Sequence, residues 1–320
     1  MFHLPIAALA LIVERFTGYP KPLLDAVGHP VMWFGRIISA FEERLNHPER
    51  SDADRKNSGI FTVAALLLIV SLGSLLLLGV TRQFPFGWVL EALLATTLLA
   101  QSHLGEAVRA VADGLDVSLD EGRAAVSQIV GRDPEALDEA GVARAAIETL
   151  AENTSDGVVA PLFWLALFGL PGIALYKAIN TADSMIGHMD ERYRQFGWAA
   201  AKLDDVVNWI PARLTAALFV IAAFFTPGGS PGAALRAAER DAGKHASPNA
   251  GWPEAAMAGA LGFALGGPRS YHGETVDLPT MGEGRSSLGA DDVRRALVLY
   301  WRALTALAVI MVVLVFAAWL

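Results

Sequence analysis

The sequence contains no cysteine. That excludes a disulfide framework, a thiolate metal centre and a cysteine nucleophile. It is also short of charge: Asp, Glu, Lys and Arg make up 18% of the 320 residues, whereas soluble chains carry about 25%. A formal net charge of −8 leaves no basic excess and argues against a nucleic-acid-binding surface. No G-x-x-x-x-G-K-[ST] run is present, so a nucleotide is not held by a P-loop, and H-E-x-x-H and G-x-S-x-G are missing as well. There is no internal repeat and no low-complexity tract.

What replaces charge is apolar surface. Hydrophobic residues reach 53% and mean hydropathy is +0.40. This composition excludes a disordered or collagen-like chain and describes a membrane protein with a sizeable polar portion. The strongest span runs from Gly59 to Val80, uncharged throughout and long enough for about 30 Å of hydrocarbon. Arg55 and Lys56 precede it and Arg82 follows. Further apolar runs lie at 84–99 (holding Glu91), at 209–225, and at 303–320, where Tyr300, Trp301 and Trp319 are placed like interfacial aromatics. The N-terminus has an apolar stretch without a basic leader and reads as a retained helix ending near Glu14-Arg15. The run 157–176 is uncharged, but Pro161 and Gly169-Leu170-Pro171-Gly172 interrupt it, which predicts a broken or re-entrant segment. Residues 255–268 are too few for an ordinary span.

Polar stretches separate these runs. Residues 103–156 hold twelve acids and four arginines with helical patterning. Residues 226–292 are rich in Gly and Pro and read mostly as loop with one or two helices. Basic residues favour the cytoplasm for 18–59. The expectation is an all-α, polytopic membrane protein forming a single embedded domain over 1–320, with a polar helical insert at about 103–156 and a loop-rich segment at about 226–292.

Four polar blocks need explaining. Glu148, Glu152, Asn153 and Asp156 close a helix at the edge of the apolar run 157–176. They make either a solvated acidic helix end or a divalent-cation or amine site, since hard cations take clustered carboxylate and amide oxygens. Lys177, Asn180, Asp183 and Ser184 fall at helical spacing directly after that run, where ionisable groups are costly and functional by default. The alternative is an interfacial helix end with a snorkelling lysine. Next come Arg192, Lys202, Asp204, Asp205 and Asn208. Asp204 and Asn208 stand one turn apart, as in helices that hold Mg2+ against a phosphate, although acids are also common at ordinary helix starts. The fourth block opens at Asp241 and gathers Lys244, His245, Ser247, Asn249 and Glu254 on a Pro/Gly-rich loop that suits a phosphate or nucleotide cradle.

Together these blocks resemble one family, the adenosylcobinamide-phosphate synthases of cobalamin biosynthesis (the CobD/CbiB family). The likeness rests on His29-Pro30-Val31 with Gly35-Arg36, on Val126-Ser127 through Val130-Gly131-Arg132-Asp133, and on Ala151-Glu152-Asn153 with Asp156-Gly157 through Trp164. It continues in Tyr176-Lys177-Ala178, in Asn180 to Met185, in Glu191-Arg192-Tyr193 with Phe196-Gly197, and in Leu203-Asp204-Asp205-Val206 with Asn208 and Pro211 to Leu214. It ends in Ser247 to Gly251, Pro253 to Ala256, Gly259 to Gly262 and Gly266-Gly267-Pro268. Glu14 and Gly18-Tyr19-Pro20 depart from the family's usual Asp and Gly-Asp-Pro, and His188 departs as well.

The resemblance implies an inner-membrane ligase with its active site facing the cytoplasm. It would join adenosylcobyric acid to aminopropanol or its O-phosphate, with ATP as co-substrate and Mg2+ as cofactor. It implies Asp183, Asp204 and Asp205 as Mg2+ ligands, with Asn180 and Asn208 as neutral oxygen partners. Lys177, Arg192 and Lys202 would contact phosphate, and Glu152 or Asp156 would hold or deprotonate the ammonium. Lys244, His245 and Asn249 would close over nucleotide or amine phosphate, with Asn153, Ser184, Ser247 and Glu254 beside them. Trp164, Trp209 and Trp252 would face the corrinoid. Because ATP is cytoplasmic, 157–176 should enter and return, bending at 169–172. Partners are the corrinoid, the amine and the lipid bilayer, with a homo-oligomer and other corrinoid-pathway enzymes as further partners and no nucleic acid. Two rival readings are a Mg2+-dependent intramembrane prenyltransferase, which wants more spans than this chain offers, and a non-catalytic transporter or scaffold.

Overall fold

A computed structural model describes residues 3–19, 25, 28–131, 134–267, 269–271, 274–276 and 279–318, the segments 269–271 and 274–276 by backbone alone. Arg132, Asp133 and Pro268, quoted for the family resemblance, Pro20, quoted as a departure from it, and the interfacial candidate Trp319 lie outside the described residues. The chain is helical nearly throughout. Two short antiparallel ribbons, Leu265–Gly266 with Thr280–Met281 and Arg269–Tyr271 with Glu274–Val276, are the additions that the loop-rich reading of 226–292 did not foresee.

Long apolar helices form where charge is missing. Asp52–Thr81, the run Glu139–Ile186 and Ala290–Ala317 are long and apolar enough to cross a membrane, and Trp198–Val207 with Trp209–Phe225 joins them as a pair bent by 46°. The chain is a multi-pass membrane protein. Ser51 starts the first of these helices by accepting from the Asp54 amide at 3.2 Å, satisfying one of the orphan donors of the first turn. One face of that helix buries Leu66, Val70, Ser74 and Leu78 at four-residue spacing, whereas Leu68, Leu72 and Leu76 are exposed by 60%, 61% and 71%. Leucine exposed to that extent suits hydrocarbon rather than water.

The chain divides into two compact units. One comprises 1–100, 160–208 and 311–320, and the other 101–159 and 209–310. In the first unit the helix Leu4–Thr17 carries the N-terminal apolar stretch past Glu14-Arg15 and packs on Gly87–Thr96. The latter is a correction: 84–99 reads as a span, but its helix is only ten residues long, about 15 Å at helical rise. Its acid explains the shortness. Glu91 is buried and accepts from the Leu170 amide at 3.2 Å, so this helix serves the interior of the unit.

That amide is free to be capped because the helix Ala160–Ile186 breaks at Gly169 (φ 67°, ψ −154°). Beyond the break the chain doubles back. A Cβ on Gly172 would stand 2.3 Å from the Trp164 carbonyl oxygen, although eight residues of straight helix span about 12 Å. Trp164 donates to the Val207 carbonyl at 3.1 Å while Tyr176 donates to the adjoining Asn208 side chain at 2.9 Å. The expected bend at 169–172 is therefore present, built by a positive-φ glycine, a proline lacking its donor and an acid that caps the second arm.

In the second unit the helices Gln101–Val117, Leu119–Val126 and Glu139–Thr154 fill the acidic stretch. The last of them is less polar than its acids suggest. Val142, Ala143, Ala145, Ala146, Ile147, Leu150 and Ala151 are all fully buried, because alanine lets neighbouring helices approach on several sides. Five residues of π-helix, Ser155–Val159, follow it. Such a local widening often marks functional positions. Pro231–Asp241 and Gly251–Leu261 supply the two helices expected in the loop-rich segment, and all eleven residues of the latter are buried or nearly so.

Candidate functional site

The four sequence blocks gather into two separate networks, one within each unit. The first is set by the returning arm of the Gly169 hairpin and the helix Trp198–Val207. Lys177 donates to the Asn180 amide oxygen at 3.2 Å, and Asn180 Nδ2 faces Asp204 at 3.5 Å. Asn208 Nδ2 donates to the other oxygen of Asp204 at 2.9 Å, while its own Oδ1 accepts from Tyr176. Lys177, Asn180 and Asp204 are half-buried, and Tyr176 and Asn208 are buried. Asp183 lies one turn past Asn180, close enough to Asp204 for the two carboxylates to repel.

This arrangement suits a divalent cation in one particular way. Among the described residues no three of His, Asp and Glu converge as a cage, and the amide oxygens of Asn180 and Asn208 are directed to Lys177 and Tyr176, not to a shared cation. The carboxylates of Asp183 and Asp204 stand close enough to repel each other. Mg2+ is commonly held by one or two carboxylates together with substrate phosphates and water, so this pair fits it where a larger cage would not. Asp205 is drawn instead to Lys202 at 3.1 Å, and Ser184 donates to the Asn180 carbonyl of its own helix at 2.9 Å.

Arg192 sits on a different partner. Its guanidinium donates twice to Glu42 at 2.9 and 2.7 Å, and the Tyr193 hydroxyl donates to the same oxygen at 2.9 Å. Arg55 meets the carbonyls of Glu191 and Arg192 from the neighbouring helix. Burial and the Glu42 charge push the Tyr193 phenol above its ordinary value, and Glu42 does the same for Arg192. This cluster anchors the segment between the hairpin and the helix Trp198–Val207. Glu42 carried no motif, and its signal was only that an acid recurs on the apolar face of an amphipathic helix.

The second network centres on Asp241, which is 1% exposed. Its carboxylate accepts from Arg240 Nε at 2.8 Å and Arg240 Nη2 at 2.5 Å, from Lys244 at 2.6 Å and from the Gly282 amide at 2.9 Å. The Arg240 guanidinium, more than any other neighbour, holds its carboxyl well below the usual carboxylate range. Asp241 opens the fourth sequence block without a role of its own, and only the fold directs four donors at it. Downstream, the Ser247 amide donates to His245 Nδ1 at 2.9 Å, which leaves the proton on Nε2, 3.7 Å from the buried Glu254. The Ser247 hydroxyl accepts from the Asn249 and Ala250 amides at 3.2 and 3.3 Å. The turn at 245–250 is thus rigidly built and presents Lys244 and His245.

The remaining acids divide. Glu148 is buried and accepts from the Gly266 amide at 2.7 Å, tying the first ribbon to its helix. Glu152 is exposed, Asp156 is half-buried within the π-helix, and Asn153 donates to the Thr149 carbonyl at 3.1 Å. Of the three tryptophans, Trp164 stacks on Phe168 with centroids 5.7 Å apart. Trp209 and Trp252 share Arg213, whose guanidinium stands 4.2 Å from one ring and 4.7 Å from the other. That makes a cationic–aromatic cluster.

Comparison with known proteins finds relatives over nearly the whole chain. A family model described as CobD/Cbib protein matches residues 7–300. A cobalamin biosynthesis protein CobD from Brucella anthropi is 49% identical over 304 residues, covering 94% of this chain and 93% of that protein. Its namesake from Sinorhizobium fredii is 49% identical over 317 residues, 97% of this chain and 96% of its own length. The protein of that name from Rhodobacter capsulatus is 44% identical over 308 residues, 94% of each chain. No solved structure matches.

Proposed function

The chain belongs to the CobD/CbiB family of cobalamin biosynthesis, and on that premise we propose that it is the ligase joining adenosylcobyric acid to aminopropanol or aminopropanol O-phosphate at the expense of ATP. The observation that carries this reading is the family match over 7–300, within which both polar networks lie. A carboxylate is a poor electrophile. One propionate oxygen of the corrinoid therefore attacks the γ-phosphorus of ATP, ADP leaves, and an acyl phosphate forms. The amine nitrogen attacks the acyl carbon, gives up a proton, and expels inorganic phosphate as the amide bond closes.

Asp183 and Asp204 are the residues to hold Mg2+, which would supply charge neutralisation for the nucleotide phosphates. Lys177 and Lys202 stand on the same two helices and add positive charge where phosphoryl charge develops. Glu152 and Asp156, beside the π-helix, suit the ammonium: they attract it and accept its proton. Lys244 and His245, held out by the Asp241 and Ser247 contacts, suit a phosphate. The Trp209–Arg213–Trp252 cluster offers the corrinoid aromatic rings and its carboxylate a cation. The enzyme works in the inner membrane with these groups on the cytoplasmic side, where ATP is.

The test is product analysis by mass spectrometry. Purified protein receives adenosylcobyric acid, ATP and Mg2+ with each amine in turn, and an amide is expected with one or both, accompanied by ADP and phosphate. Amide formed at full rate with EDTA and without nucleotide would overturn the mechanism, and no amide from folded protein with either amine would overturn the assignment. Orientation is tested separately. Single cysteines at the exposed positions Arg194→Cys and Ala246→Cys should both resist an impermeant thiol reagent added outside intact cells, and outside labelling of either places that segment on the other face.

A further inference from the structure

We propose that a cleft between the helices Pro231–Asp241 and Gly251–Leu261 is a subsite for a phosphomonoester anion, with Arg236 and Arg240 as its ligands. The cavity has a volume of about 200 Å³, and its floor is made of small residues, among them Ala237 and Gly259. Arg236 and Arg240 are one helical turn apart and line the same opening. The exposed Arg236 guanidinium lies back toward Gly232, and its long side chain can swing across the opening to an anion held by Arg240.

Arg240 is aimed from behind. Asp241, itself 1% exposed, takes Nε and Nη2 of that guanidinium, and the remaining nitrogen turns outward into the cleft. There it meets the carboxylate of Glu283, whose side chain is 79% exposed. An exposed ion pair of this kind contributes little to stability. Glu283 therefore reads as a stand-in: a carboxylate occupying the place of a better anion, easily displaced. A phosphomonoester carries up to two negative charges and three acceptor oxygens. It can bond both arginines, which a single carboxylate on Arg240 does not, and planar guanidinium groups match its geometry. Once displaced, Glu283 remains at the rim, within reach of a cationic group on the same ligand. Arg240 also shares Asp241 with Lys244, so a bound anion here is coupled to the turn that carries His245.

The phosphate could belong to the amine substrate, to the nucleotide or to free phosphate, and the experiment separates them. Only the choice of amine ester as a probe rests on the ligase reading above. Full-length protein in detergent is titrated calorimetrically with inorganic phosphate, aminopropanol O-phosphate, aminopropanol and ATP, using wild type, Arg236→Gln and Glu283→Gln. Both substituted side chains are exposed, and the fold should be kept. Removing one charge-assisted contact should weaken inorganic phosphate by about tenfold in Arg236→Gln, and removing the competing carboxylate should tighten it in Glu283→Gln. Aminopropanol affinity should not change in Arg236→Gln. A parallel loss for aminopropanol O-phosphate alone assigns the cleft to the amine ester, and a loss for ATP alone assigns it to the nucleotide; either supports the subsite. Phosphate affinity unchanged in both variants overturns it. Since binding is read without turnover, a protein that binds phosphate through Arg236 but makes no amide would defeat the ligase reading and leave the cleft standing.

Discussion

Asp204 and Asp241 are both carboxylates near the end of a helix, both enclosed, both accepting several hydrogen bonds, and they are built for opposite purposes. Asp241 receives two full positive charges and a backbone amide. Its charge is matched inside the protein. Asp204 receives only neutral amides from Asn180 and Asn208 and has a second acid, Asp183, beside it. Its hydrogen bonds come from neutral amides, and the neighbouring acid raises the negative charge density at this point. A carboxylate whose partners are cations holds structure together, and one faced by amides and another carboxylate suits a divalent cation.

The comparison can be broken by exchange of single atoms. Asp204→Asn keeps shape and removes the charge a cation needs, so turnover should fall by about 10³-fold, near 4 kcal/mol of transition-state stabilisation, with unchanged thermal unfolding. Near-normal turnover would move Asp204 to the structural side. Asp241→Asn should do the reverse and destabilise the fold by about 3 kcal/mol, since it leaves Arg240 and Lys244 facing an enclosed neutral group. Thermal unfolding in detergent reads this directly.

The Asp241 effect also has a pH signature. Its folded-state pKa is depressed, so the stability it contributes is fully present above the unfolded carboxylate value of about 3.9 and is lost as pH falls toward the folded value. The difference in unfolding temperature between wild type and Asp241→Asn should be constant from pH 8 to 5 and shrink toward pH 3. A difference that grew on acidification would contradict the depressed pKa.

Gly169→Ala should cost about 2 kcal/mol, because a non-glycine residue at positive φ is strained. The added Cβ would also stand 2.7 Å from the His3 ring and 3.0 Å from the Glu91 carboxylate. Unfolding temperature checks it, and an unshifted value would mean that the hairpin bends elsewhere. The smallest effect belongs to Lys202→Gln: its exposed pair with Asp205 is worth about 0.3 kcal/mol, so stability should hold while the rate falls, if Lys202 meets phosphate.

The amino-acid sequence by itself determined the membrane class, since Gly59–Val80 has nowhere else to bury its apolar surface. It also determined the family, through blocks spread over nearly the whole chain, and the break at 169–172, through glycine and proline chemistry. Local composition carries these because they depend on residues close together in the chain. Only the tertiary structure decided which groups face each acid. It demoted 84–99 from span to short helix because Glu91 is needed at Leu170, seventy-nine residues away. It moved Arg192 onto Glu42 and Asp205 onto Lys202, and it made Asp241, until then only the first residue of the fourth block, the centre of a network. The sign of the charge facing a carboxylate depends on side chains brought together across long loops, and no spacing rule along one helix contains that information.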